Sequence, residues 1–167
     1  MPHHKHAADK ASHARHHINL RLERWHRRCV YASALVLLAS GALWLIAGHF
    51  WRPVGQFGET IHPIEPWAMK VHGGAGMVML FFLGSLMNGH IRRALKSGRN
   101  LMSGWSMIVV MLTLIATGFG LYYIAGENDR AVWSLLHWAV GLGSGVIFLV
   151  HVSLGRASRH VPQGPTS

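Results

Sequence analysis

Two histidines interrupt the apolar stretch Ser134–Arg156, SLLHWAVGLGSGVIFLVHVSLGR, at His137 and His151. An ionisable imidazole inside a membrane-length apolar run is costly and marks a functional position unless a partner explains it. The two lie 14 residues apart. At about 100° and 1.5 Å per residue they sit about 40° apart around a helix and about 21 Å apart along it. They therefore share one face and approach opposite sides of a hydrocarbon core about 30 Å thick. Such a helix offers one nitrogen ligand near each surface, and the rest of the chain has to supply the opposing ligands.

The other histidines give candidates. His72 and His90 occupy a second apolar run, KVHGGAGMVMLFFLGSLMNGHIRR, and His26 stands at the entry to the first. His72 and His137 fall at the same depth on two spans that run in the same direction. Each opens an HxxxG pattern, with Gly76 and Gly141 one turn on. A glycine at that place leaves room for the edge of a flat macrocycle, so the pair reads as the axial ligands of an outer haem. Ordinary small-residue helix packing is the competing explanation for the glycines. The inner site takes His151 and one more ligand. His90 returns to the face of His72 but would lie about 27 Å below it, a mismatch of about 6 Å against the other helix. His26 is the alternative, from the first span. Met87 is a minor candidate, and His49 and His62 read as interfacial or propionate-contacting residues.

These residues need a scaffold of membrane spans. Four blocks lack Asp, Glu, Lys and Arg: Cys29–Trp51, Val71–Ile91, Leu101–Gly126 and Ala131–Gly155. Each meets the roughly 20 residues needed to cross a bilayer. The expected fold class is all-α, a four-helix transmembrane bundle. Residues 1–24 form a polar His-rich tail, 25–156 the membrane domain and 157–167 a C-terminal tail. The first apolar run is too long for a cleavable signal peptide and should remain as a span. The prolines and glycines of residues 52–70 predict an ordered outer loop or short surface segments rather than another span.

The formal net charge of +10 does not imply nucleic acid. Thirteen of the 16 Lys and Arg lie before Cys29, between residues 92 and 99, or after Gly155. With four spans these segments share one side, and the positive-inside rule makes that side, with both termini, cytoplasmic. The basic charge also matches anionic lipid. The single cysteine, Cys29, excludes an internal disulfide, and without a CxxCH motif a covalently attached haem is not expected. Six histidines in the N-terminal tail would bind a divalent ion only weakly.

The arrangement resembles the four-helix di-haem cytochrome b subunits of formate dehydrogenases and nickel-iron hydrogenases. The likeness rests on His26 with Ser40-Gly41, His72 with Gly76, Trp105-Ser106 with Thr117-Gly118, and SLLH followed by Gly141 and His151. It covers residues 25–156. The resemblance implies two non-covalent b-type haems, held by His72–His137 on the outer side and His26–His151 on the inner side. The first span departs by one residue in the interval to Ser40-Gly41, and some small relatives take both pairs from spans two and four, which keeps His90 as the alternative inner ligand. The family's long inner loop, which docks a dehydrogenase, is missing, so a large fixed catalytic partner is not implied.

The implied function is electron transfer between a periplasmic redox partner, such as a c-type cytochrome, and the quinone pool of a bacterial inner membrane. The chain would be an electron-transfer subunit, at most a quinone oxidoreductase. Asn88, His90, Ser103 and Trp105 are the polar candidates beside a quinone. The scaffold allows a homodimer or a place in a larger complex. The competing classes are a haem-free small transporter or assembly protein, and a membrane reductase with one haem.

Overall fold

The computed structural model describes residues 23–98 and 100–158. The His-rich N-terminal tract, Arg99 and the last nine residues lie outside them. The chain is built from α1 (Arg24–Phe50), a two-stranded hairpin of β1 (Val54–Gly55) and β2 (Gly58–Glu59), α2 (Ile64–Leu86), a π turn (Met87–Ile91), α3 (Arg92–Ser97), α4 (Leu101–Tyr123) and α5 (Arg130–Ala157). The π turn joins α2 to α3, so residues Ile64–Lys96 run as one 33-residue rod. Four helices, this rod among them, are long and apolar enough to cross a membrane.

Burial is inverted relative to a water-soluble bundle. Ser33, Ser40, Glu65, Ser103 and Thr117 are buried, whereas Phe81 is 72% and Leu149 66% exposed. Polar side chains gather where helices meet, and large apolar ones point away from the protein. Large exposed apolar surfaces of this kind mark sites of protein or membrane contact.

The helices pack as two antiparallel hairpins, α1 on α2 and α4 on α5. The hairpins meet through α1 and α5, where Leu38 closes on Gly145 and the Tyr31 ring stands edge-on to Phe148 at 5.4 Å. At the basic end, Asn100 adopts φ +53°, an accessible left-handed conformation for asparagine. Its side-chain amide donates to Ser158 Oγ at 3.0 Å and ties the start of α4 to the end of α5.

The second rod starts earlier than the charge-free block Val71–Ile91. The reason is local capping chemistry. His62-Pro63-Ile64-Glu65 forms a capping box with histidine in the usual Ser/Thr place. The Ile64 N–H donates to His62 Nδ1 at 3.2 Å, and the His62 N–H donates back to Glu65 Oε1 at 3.2 Å. Pro63 supplies the fixed φ that suits a first helical position. The prolines therefore start a helix as well as ending a loop.

Candidate functional site

The histidines assemble into two facing pairs. The His72 ring lies opposite His137, with centroids 6.1 Å apart and planes at 77°. The His90 ring lies opposite His151 at 6.2 Å and 89°. α2 and α5 thus face each other through imidazoles at one site, and the π turn and α5 do so at the other.

The tautomers follow from the outer hydrogen bonds. His72 Nδ1 lies 3.0 Å from the Leu37 carbonyl oxygen, which only accepts, so Nδ1 carries the proton. Ser40 Oγ accepts from the same N–H at 3.1 Å, because its own proton goes to Val36 O at 2.6 Å. On the opposite hairpin Thr117 repeats the device. Its hydroxyl donates to Thr113 O at 2.8 Å and accepts from His137 Nδ1–H at 2.9 Å. At the second pair Ser103 donates to Asn100 O at 3.1 Å and accepts from His151 Nδ1–H at 3.2 Å. Each of these three imidazoles keeps its Nε2 lone pair unprotonated. An acceptor on the far nitrogen, which fixes ring and tautomer, is the habitual setting of a metal-bound histidine.

Glycine makes the outer pair possible. A Cβ on Gly41 would stand 3.3 Å from His72 Cε1, and one on Gly118 would stand 3.4 Å from His137 Cε1. Ser40-Gly41 and Thr117-Gly118 therefore act as units: the hydroxyl orients an imidazole, and the missing side chain gives it room. Ser103-Gly104 supplies the hydroxyl in the same way, but a Cβ on Gly104 would meet nothing within 4 Å. The ligand-side glycines divide similarly. Gly76 fronts open space, whereas a Cβ on Gly141 would meet Leu114 at 3.8 Å, the ordinary distance of helix packing.

The remaining candidates lie elsewhere. The His26 ring packs on Trp25 at 5.4 Å and on Phe82 of α2 at 5.2 Å. Its Nε2 is buried and has no hydrogen-bond partner among the described residues. His49 Nδ1–H turns back along its own helix to Leu45 O at 2.9 Å, and His62 is occupied as the cap of α2 against Trp51. Met87 is 55% exposed. Of the polar residues considered for a quinone, Ser103 has its proton on Asn100 O and its lone pair on His151, and His90 faces His151. Asn88 and Trp105 remain exposed.

Ideal α-helix geometry leaves His90 about 6 Å out of depth with His151. The facing rings show that this mismatch is absorbed. His90 sits inside the π turn Met87–Ile91, which takes an extra residue per turn and so changes both the rise and the angular position of its own residues and those of α3. Single π turns of this kind recur at functional sites. The part played by Ser103 had a sequence signal: Ser40-Gly41, Ser103-Gly104 and Thr117-Gly118 are three hydroxyl-glycine pairs on the two helices that do not carry the facing rings.

Two imidazoles that face each other could hold a single metal ion between them. A metal–nitrogen bond of about 2.0 Å, added to about 1.1 Å from nitrogen to ring centre, places two such centroids about 6.2 Å apart. Both pairs match that span. Among the described residues no group of three or more His, Cys, Asp or Glu side chains converges. Each pair therefore offers two protein ligands at most, and a metal held there would need further donors from elsewhere. No protein-family model, curated protein or solved structure matches the chain.

Proposed function

We propose that the chain is a di-haem b-type membrane cytochrome that passes electrons between its two faces. The observation that supports this reading is the two facing imidazole pairs, with ring centroids 6.1 and 6.2 Å apart and three of the four rings bonded at Nδ1 to a hydroxyl. His72 and His137 would hold one haem, and His90 with His151 the other. His90 is preferred to His26 because its ring faces His151, while the His26 ring lies against Phe82 and Trp25.

When bound, haem would supply the one-electron iron couple, and two histidines holding its iron would leave little place for oxygen chemistry. The chain supplies the rest. Its hydroxyls fix the imidazole tautomer, its glycines let the rings approach, and its apolar spans exclude water. The basic end, carrying Arg27, Arg28, Arg92, Arg93 and Arg156, would face the cytoplasm of a bacterial inner membrane. A periplasmic redox protein such as a c-type cytochrome would meet the hairpin end, and the quinone pool would meet the basic end. There the exposed Asn88 and Trp105 are the polar groups that would meet a quinone.

Haem content of alanine variants tests the ligand set. His90→Ala should lower the inner-site haem while His26→Ala retains two haems per chain. The opposite pattern would move the inner ligand to α1. A quinone analogue should shift the inner-site visible signal; no shift at saturation would remove the quinone from the proposal.

A further inference from the structure

The hairpin between α1 and α2 presents apolar side chains that no other described part of the chain covers. Phe57 is 100% exposed at the turn, Val54 83% and Ile61 71%. Yet the segment is well tied down. β1 pairs with β2 through Val54↔Glu59 and Gly55↔Gly58, and Gly58 adopts φ +107°, which suits glycine. The Thr60 N–H and hydroxyl both donate to Pro53 O, at 2.8 and 3.1 Å. Arg52 links the base of the hairpin to α1, with Nε donating to Gly48 O and a guanidinium nitrogen 3.9 Å from Glu59 Oε2. A fixed turn that holds a phenylalanine outward is not a slack connection.

We propose that this hairpin is a lipid-interface anchor, with Phe57 inserted among the headgroups and upper acyl chains of the leaflet at the hairpin end. The inference rests on the four helices crossing a membrane and not on any haem. Three observations select lipid as the occupant. The apolar surface continues into Phe50 and Trp51 at the end of α1 and Trp67 at the start of α2, all exposed. Aromatic rings collect at this level of a bilayer. The Lys70 ammonium sits 4.6 Å from the Trp67 ring centre, so a cation and its aromatic partner share the boundary. The hairpin's own charges, Arg52 and Glu59, face each other and leave little net charge to attract a charged protein.

Site-directed spin labelling of the full chain, reconstituted in bilayers of phosphatidylethanolamine and phosphatidylglycerol, tests the proposal. In a Cys29→Ser background, a nitroxide is placed through Phe57→Cys, with Leu149→Cys, exposed within α5, as the apolar-span reference and Asn128→Cys, on the other turn at this end, as the water reference. Relaxation by oxygen is compared with relaxation by a water-soluble nickel chelate. Position 57 should show an oxygen-to-nickel ratio severalfold above that of position 128 and closer to that of position 149. A ratio equal to that of position 128 overturns the proposal. So does a label inaccessible to both reagents, which would mean a protein partner or a second copy covers the turn. A water-like ratio at position 149 as well would overturn the membrane reading itself, a distinguishable failure.

Discussion

Replacing Thr117 by valine removes the hydroxyl that accepts the His137 Nδ1–H bond and keeps the side chain nearly isosteric. Among the described residues His137 has no second acceptor, so the N–H is left partly buried and unpaired. Such a loss costs about 1–3 kcal/mol. Removing the hydrogen-bond partner behind a metal-bound ligand typically weakens the site about 10- to 100-fold. Ser40→Ala is the internal control. It takes one acceptor from His72 but leaves the Leu37 carbonyl at 3.0 Å. The expected loss is then the net value of one neutral hydrogen bond, about 0.5–1.5 kcal/mol, or at most about tenfold in affinity. The assay is haem transfer from each variant to an excess of apo-globin, followed at the visible band and resolved by site against His72→Ala and His90→Ala. Thr117→Val should release the outer haem about tenfold faster than Ser40→Ala, and Thr117→Ser should restore the parent rate. Equal rates, or a reversed order, would refute the claim that these hydroxyls orient the ligands.

Other expectations rest on the same contacts. Gly118→Val and Gly41→Val place γ-carbons where the imidazoles sit, so each should lower outer-site haem while the inner site fills normally, as measured by haem per chain. Gly120→Ala would drive a Cβ into the Trp133 ring, which is held in place by an Nε1–H bond to Asp129 at 3.1 Å. Overpacking of this sort costs about 1–3 kcal/mol, so the melting temperature in detergent should fall even in haem-free protein. Glu65→Ala opens the capping box of α2 and should cost about 1 kcal/mol, read from the same melting curve. Near-perpendicular imidazole planes, 77° and 89°, predict strongly anisotropic low-spin ferric signals by electron paramagnetic resonance. Rhombic signals of parallel planes would contradict that geometry.

The four long apolar helices and the facing of His72 and His137 were legible in the sequence because they depend on block length and on depth along regular helices. The opposition of His90 to His151 was not. His90 lies inside a π turn, and no residue pattern in Met87–Ile91 announces one. Uniform α geometry left His90 and His26 both open, and the family resemblance favoured His26. Ser103 was readable only as a polar residue near the inner site, yet its place in a third hydroxyl-glycine pair carried the signal for its bond to His151. The Leu37 carbonyl has no sequence signal, since a backbone acceptor becomes available through helix contact alone. The early start of α2 was hidden by reading Pro63 as a loop residue, when proline followed two residues later by Glu65 also spells a helix start.

The central claim is that two imidazole pairs each hold one b-type haem. The dithionite-reduced minus air-oxidised visible spectrum of the detergent-purified chain, with haem quantified per polypeptide, tests it most directly. The account predicts two low-spin b-type haems per chain, falling to one in both His137→Ala and His90→Ala. A folded, haem-supplemented preparation without haem absorbance, or one whose haem content ignores both substitutions, would contradict it.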